Sequence, residues 1–325
     1  MMRRREFITL LGGAAAWPLA ARAQQPAMPV IGYLSSNQPE AVLKNMEAFR
    51  QGLIDAGYIE GRNLIIDYRW AEGHNDRLPL LALELVHRQV AVIATNGFGA
   101  TAAKATTSTI PIVFETGSDP VQSGLVASLS RPGGNLTGVF FLSRALEPKR
   151  LALLREMVPA ATSIAFLVNP TSPHTDTEMR DMDIAARVLG VRLKVLNAGS
   201  PGEIEAAFAI LSQERADALL VSSDPLYFDQ RVQLAALASR YAIPAMYHDR
   251  QLVDAGGLMS YGARIPDGYR LVGTYTGRIL NGEKPGDLPV QQSTRVELII
   301  NREVASALNL TVPPSLLAIA DEVIE

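Results

Sequence analysis

From Val30 onward the chain alternates short apolar runs with longer amphipathic segments. Val30–Leu34 is a continuous apolar run closed by the polar turn Ser35-Ser36-Asn37, the pattern of a strand buried on both faces. Glu40–Ala56 then places Ala41, Met46, Phe49 and Leu53 on one helical face, with Gly57 where the helix stops. The alternation predicts a strand over Leu64–Trp70 and a helix over Asp76–Arg88. A strand over Val90–Thr95, a helix over Ala100–Thr107 and a strand over Ile110–Phe114 follow. Strands alternating with helices imply a parallel sheet covered on both faces.

The same plan then recurs. Strands are predicted over Ser163–Val168, Arg192–Leu196, Ala218–Ser222 and Ala245–Tyr247, separated by helices over Thr175–Leu189, Glu203–Glu214 and Asp229–Tyr241. Local matches keep their order. Ile31-Gly32-Tyr33-Leu34 answers Ile164-Ala165-Phe166-Leu167, Val92–Asn96 answers Leu219–Ser223, and Ile110–Phe114 answers Ile243–Tyr247. The expected fold is therefore α/β: two doubly wound parallel-sheet lobes with a ligand cleft between them. The turn-rich Arg131–Asn135 leads into a first crossing at Thr137–Phe141, and Gly256-Gly257 leads into a second at Leu258–Tyr261. A helix over Gly268–Asn281 would pack on the first lobe, and Leu288–Asn301 would return to the second. These readings give an N-terminal lobe of 28–141 plus 258–287 and a C-terminal lobe of 142–257 plus 288–325.

In open parallel sheets, ligands sit beyond the carboxyl ends of the strands. Those ends carry Ser35, Ser36, Asn37, Asn96, Gly97, Thr116 (within Glu115–Asp119) and Asp119 in the first lobe. In the second they carry Asn169, Thr171, Ser222, Ser223, Asp224, His248 and Asp249. Hydroxyls and backbone N–H groups suit a carboxylate, and an aspartate suits an ammonium. Asp119-Pro120 and Asp224-Pro225 fit equally well as helix N-caps followed by proline. Tyr33, Phe141, Tyr227, Tyr247 and Tyr261 could wall an apolar ligand or belong to the core.

Composition narrows the class. Of 325 residues, 48% are hydrophobic and 19% charged, a globular balance long enough for two domains. Residues 1–23 carry four arginines and one glutamate, so the remainder holds 26 basic against 32 acidic side chains. A mildly acidic body without a basic tract argues against nucleic-acid binding. With no cysteine, disulfides, thiol catalysis and lipid attachment at cysteine are excluded. The start has the three parts of an export signal: basic Arg3-Arg4-Arg5, a mild apolar run from Leu10 to Ala21, and the Ala21-Arg22-Ala23 cleavage pattern. Arg4-Arg5-Glu6-Phe7-Ile8 is similar to a twin-arginine signal, so a soluble periplasmic product is expected.

The run Ser118–Val126, followed by Arg131-Pro132-Gly133-Gly134-Asn135-Leu136-Thr137-Gly138, resembles a signature of ABC transporter substrate-binding proteins, in the branch similar to tryptophan- and phenylalanine-binding members. Tyr68–Gly73, Asp254–Gly262 and Ile279–Pro285 are similar to further stretches of it, so the resemblance spans essentially the whole chain after the leader. It implies a type I periplasmic-binding fold that is monomeric, needs no cofactor, and hands a small-molecule ligand to an inner-membrane ABC permease by hinge closure. The ligand stays open between an amino acid and an aromatic acid. Known members of the branch are often lipoproteins or general secretory exports, so the twin-arginine-like leader departs from their pattern.

Two other classes compete. Gly97-Phe98-Gly99-Ala100-Thr101-Ala102 reads G-x-G-x-x-A, with Asp119 twenty residues beyond Gly99, which mimics a dinucleotide fingerprint and suggests an exported NAD(P)-dependent oxidoreductase. It follows the third strand, however, not the first. A ligand-sensing module for a membrane receptor could share the same two-lobe fold. A hydrolase lacks support, because no G-x-S-x-G occurs and the four histidines are scattered.

Overall fold

The computed structural model describes residues 28–325, apart from 142 and 173. The expected export signal at 1–23 lies outside the described residues.

The first sheet is built from β1 (Val30–Ser35), β2 (Ile65–Trp70), β3 (Val92–Thr95), β4 (Ile112–Thr116), β5 (Leu136–Phe141) and β11 (Gln291–Ser293), in the order β11-β5-β4-β3-β1-β2. All its pairings are parallel. The second contains β6 (Ser163–Val168), β7 (Arg192–Asn197), β8 (Ala218–Val221), β9 (Ala245–Tyr247), β10 (Met259–Ala263), β12 (Val296–Asn301) and β13 (Glu322–Ile324). Their order is β13-β12-β10-β9-β8-β6-β7, and β10–β12 is the antiparallel pair among them. The run β2-β1-β3-β4-β5 is matched by β7-β6-β8-β9-β10. The similar segments around Ile31 and Ile164, Val92 and Leu219, and Ile110 and Ile243 therefore occupy equivalent strand positions.

Continuous apolar runs form these strands because both faces are covered. In β1, Ile31, Tyr33 and Leu34 are almost fully buried, and such burial is worth about 1.5–3 kcal/mol per side chain. Helices α1 (Leu43–Asp55), α2 (Leu78–His87) and α3 (Gly97–Thr106) serve the first lobe. The second is served by α4 (Glu147–Met157), α5 (Thr175–Leu189), α6 (Pro201–Glu214), α7 (Pro225–Asp229), α8 (Arg231–Arg240), α9 (Arg250–Asp254), α11 (Arg302–Ala307) and α12 (Pro314–Ile319). Helix α10 (Ile265–Leu280) returns to the first lobe and packs on α1.

The expected lobe boundaries need two corrections. Residues 258–263 were placed in the N-terminal lobe, but β10 lies in the second sheet, parallel to β9 and antiparallel to β12. Residues 288–293 were placed in the C-terminal lobe, but β11 extends the first sheet beside β5. In each case an unfilled sheet edge captures the strand and satisfies its backbone hydrogen bonds. The chain thus crosses three times: after Phe141, between Ala263 and Ile265, and between Ser293 and Val296. The last two crossings are tied together by Arg264 N–H donating to the Arg295 carbonyl at 3.2 Å.

Candidate functional site

In each lobe the strand order reverses between the first and third strands, β1/β3 and β6/β8. There the flanking helices diverge and leave a crevice at the carboxyl ends. The two crevices face each other and enclose a cavity of about 670 Å³. Its wall draws on both lobes. The first contributes Ser36, Asn37, Asn45, Asn96, Gly97, Phe98, Glu115, Thr116 and Tyr269. The second contributes Arg144, His174, Ser223, Asp224, Phe228, His248 and Asp249. Leu78, Pro79, Ala102, Ala105 and Leu125 line an apolar side formed by α2, α3 and the following loop. The volume lies within the range of small-molecule sites.

On the first lobe Asn96 organises the polar wall. Its Nδ2 donates to Ser36 Oγ at 2.8 Å and to Asn37 Oδ1 at 2.9 Å, and its Oδ1 accepts from Ser36 N–H at 3.3 Å. Glu115, next to last in β4, accepts a long hydrogen bond from the Tyr269 hydroxyl at 3.4 Å. Burial pushes the Glu115 carboxyl up to about 7.

On the second lobe Asp224 caps α7. Its Oδ1 accepts from Leu226 N–H at 3.0 Å and from Asn169 Nδ2 at 3.1 Å, while Oδ2 is buried with no partner. Burial raises its pKa, opposed by those two bonds and by Arg144. Asp249 likewise caps α9 through Gln251 N–H at 2.7 Å, and burial pushes it up to about 6. Arg144 follows the first crossing. Its guanidinium donates to Glu178 and to Ser118 Oγ, and at 3.4 Å to the Ser223 carbonyl. His174 is held down to about 4, first by burial and then by the Arg144 charge. His248 is held down to about 3 by burial, then by Arg150 and Arg144. Both imidazoles are therefore neutral at ordinary pH.

Beneath Ser223 lies a buried ion pair. Arg150 has no exposed surface and sits 4.0 Å from Glu147. It donates through Nε to the Tyr261 carbonyl at 2.6 Å and through Nη1 to Ser223 Oγ at 3.0 Å, while Glu147 accepts from Ser223 N–H at 3.0 Å. The pair fixes the loop that carries Ser223 and Asp224.

Of the expected strand-end and aromatic residues, Ser36, Asn37, Asn96, Gly97, Thr116, Phe141, Ser223, Asp224, His248 and Asp249 line the cavity. Nine others do not; of these, Tyr33 and Ser222 are buried. Ser35 is buried behind the wall, where its Oγ accepts from Asn37 N–H at 3.1 Å. Asp119 binds Val121 and Gln122 N–H, at 2.8 and 3.1 Å, and so caps a turn. Asn169 is spent on Asp224 and on Thr171, whose N–H and hydroxyl both donate to Asn169 Oδ1. Tyr227 is core, with its hydroxyl on the Ala198 carbonyl at 2.9 Å. Tyr247 is fully buried against Gly257, and Tyr261 packs on the second core. Aromatic rings at strand ends gain more from burial in the sheet–helix layer than from a solvated cleft.

Arg144, His174, Tyr269 and Phe98 were missed. Arg144 and Tyr269 follow interlobe crossings, and the Arg-Ala-Leu-Glu-Pro stretch gave no sign of proximity to the cleft. The G-x-G-x-x-A stretch has a packing explanation. A Cβ on Gly99 would fall 2.1 Å from Thr95 Oγ1, and one on Gly97 would lie 3.0 Å from Thr116 Oγ1. These glycines let α3 approach the sheet.

The chain is similar in sequence and fold to known proteins. The tyrosine-binding protein of Clostridioides difficile (strain R20291) is 27% identical over 270 residues, covering 82% of this chain and 77% of that protein. Among solved structures, a conserved domain protein from Vibrio cholerae superposes with a TM-score of 0.82 at 26% identity, covering 91% of this chain and 99% of the other. A Streptococcus ABC domain in complex with L-Trp has the same fold, with a TM-score of 0.81 at 22% identity and the same coverage. The family model for ABC transporter substrate binding proteins matches residues 34–324. By that match, which takes in both sheets and every wall of the cavity, the chain belongs to the ABC transporter substrate-binding protein family, a family of binding proteins and not of enzymes.

Proposed function

We propose that this protein is the extracytoplasmic solute-binding component of an ABC uptake transporter, and that it closes its lobes around an amino acid or a related aromatic solute. The observation that carries this reading is Asp224. Its carboxylate is held by two donors on one oxygen, its other oxygen is buried and unpartnered, and the residue lines a cavity walled by both lobes. A buried charged oxygen without a donor is costly, and a ligand ammonium relieves that cost. Ser118 and the N-terminus of α3 lie at the cavity, where hydroxyl and backbone N–H donors suit a carboxylate. The apolar side at Leu78, Phe98, Ala102 and Leu125 suits a ring or aliphatic chain. The named ligands of the relatives, tyrosine and L-Trp, fit this division.

Closure pivots at the three crossings. A ligand touching both lobes favours the closed form by the contacts that the open form lacks. A thermal-shift screen of amino acids and aromatic acids tests binding, because a bound ligand raises apparent stability by mass action. Solution scattering with and without the hit tests closure, and identical dimensions at saturation would count against it. No helix among the described residues is long and apolar enough to cross a membrane. Release into the periplasm after cleavage near Ala23, and handover to an inner-membrane permease as a monomer, belong to the same proposal. N-terminal sequencing of the exported protein tests the cleavage.

A further inference from the structure

Three polar atoms of residues that line the cavity are buried with no partner among the described residues: Asp224 Oδ2, Asn45 Oδ1 and His248 Nδ1. Asp224 Oδ2, on the second lobe, is buried and accepts from no donor. Asn45 Oδ1, on α1 of the first lobe, is also buried and unpartnered, in a residue only 2% exposed. Glu115 lines the same cavity. Its one hydrogen bond among the described residues is the long one from Tyr269 to Oε1, and no cation neighbours it. Among the described residues the guanidinium in the wall is that of Arg144, already held by Glu178. Both wall histidines are neutral. Among the described residues neither Glu115 nor Asp224 forms an ion pair, and only Asp224 feels the Arg144 charge, so closing on an empty or anionic content leaves Glu115 above all uncompensated.

We infer that the cavity takes a ligand of net positive charge, with proton-donating nitrogens facing both lobes, and that Glu115 sets this preference. This rests on the solute-binding reading above and narrows it from a neutral zwitterion to a cation. Two sources share the chemistry: an amine that lacks a carboxylate, and an amino acid with a second basic group. In either, Asp224 receives one nitrogen while Glu115 receives a donor from the first-lobe side. Tyr269 holds Glu115 from α10, directly beyond the second crossing, so occupation of this corner bears on the segment that must bend.

The test is calorimetric titration of the mature protein with four probes of similar size: tyramine, L-arginine, L-tyrosine and hydroxyphenylpropionate. Wild type should bind tyramine or L-arginine at least about tenfold more tightly than L-tyrosine, as expected of one added charged hydrogen bond, and the acid most weakly. Tyramine or L-arginine as the tighter of the two identifies the source. Glu115→Gln should erase the cation preference, and Glu115→Asp, which keeps the charge, should retain most of it. L-tyrosine binding as tightly as both cations, or a cation preference that survives Glu115→Gln, overturns the inference while leaving the solute-binding reading intact. No binding by any of the four, with a hit of another solute in the thermal-shift screen, overturns the inference alone, and no hit in either removes both. Circular dichroism of each variant shows that the readout comes from folded protein.

Discussion

Asn37 reaches across the cleft to Asp229: its Nδ2 donates to Asp229 Oδ1 at 2.9 Å, joining the end of β1 in one lobe to the end of α7 in the other. The adjacent Gln38 N–H donates to Asp229 Oδ2 at 3.2 Å, so one carboxylate clasps two donors of the opposite lobe. Asn37 Oδ1 in turn accepts from Asn96 Nδ2, which links the clasp to the cavity wall. The two lobes are thus joined by a clasp at the edge of the cavity, the place for a latch if the lobes hinge.

Removing the latch should therefore act on closure more than on fit. Asp229→Ala loses two charge-assisted bonds, each worth about 1.5–3 kcal/mol at most, part of which water restores when the lobes part. The expected outcome is a ligand release rate raised roughly tenfold with little change in the association rate. Stopped-flow measurement of both rates checks it, and an unchanged off-rate would exclude the latch.

Asp224 combines two tasks that substitution can separate. Asp224→Asn keeps an oxygen for Leu226 N–H but removes the charge that faces the cavity. It should weaken binding of an amine-bearing ligand by about 1.5–3 kcal/mol and leave the melting temperature nearly unchanged. Asp224→Ala loses the cap as well, at a further cost of about 1 kcal/mol in stability. If Asp224→Asn binds as wild type does, the residue is a cap alone.

Much of this site was legible because of where residue types fall in the pattern. Ser36, Asn96, Thr116 and Asp224 each stand two or three residues beyond the end of an apolar run, and in a parallel sheet that position is the mouth of the crevice. The pattern could not say which polar residue at a strand end faces the ligand and which holds its neighbour. Asn169 and Asp224 look alike in sequence, yet Asn169 spends its amide on the aspartate. Arg144 and Tyr269 were illegible because their approach to the cleft depends on how the crossings turn, which no local periodicity records. The same limit displaced the lobe boundaries, since β10 and β11 are each assigned by a distant strand edge.

The joint between α1 and α10 gives a packing prediction. A Cβ on Gly52 would fall 1.9 Å from the Arg270 carbonyl oxygen, and one on Gly273 would fall 2.1 Å from that of Phe49. Both obstacles are backbone, so neither can rotate aside. Gly52→Ala or Gly273→Ala should force the helices apart and cost about 1–3 kcal/mol, despite alanine's better helix propensity. Denaturant melts compare them with wild type, and a stabilised variant would contradict the close crossing.

The Arg150–Glu147 pair predicts a non-additive result. Arg150→Met strands a buried carboxylate and should cost about 3–5 kcal/mol. The double substitution Arg150→Met with Glu147→Leu removes both charges and should recover much of that loss. It also strips Ser223 of its two anchors, at Oγ and N–H, so ligand affinity should stay low even where stability returns. Melts and titrations of the three variants separate the two effects, and simple additivity would show that the charges do not sense each other.

Glu115 predicts a pH signature in the ligand-free protein. Its carboxyl stands at about 7 in the fold against an ordinary 4.5, burial being the cause and the Tyr269 hydroxyl opposing it. Below about 4.5 both folded and unfolded chains hold the proton, and Glu115 costs nothing. As pH rises from 4.5 toward 7 the unfolded chain ionises while the folded one does not, so stability falls; above about 7 the cost is complete. Tyr269 from α10 and Tyr33 from β1, the titratable groups around it, are themselves pushed upward by burial and stay protonated across this window. Asp224, Asp229 and Asp249 also have raised pKa values, but they titrate alike in both proteins and cancel in the difference. Glu115→Gln should therefore melt close to wild type at pH 4.5 and progressively above it toward pH 7, with the gap constant beyond. A gap that does not change with pH would mean that Glu115 meets water freely and is not the uncompensated wall charge described here.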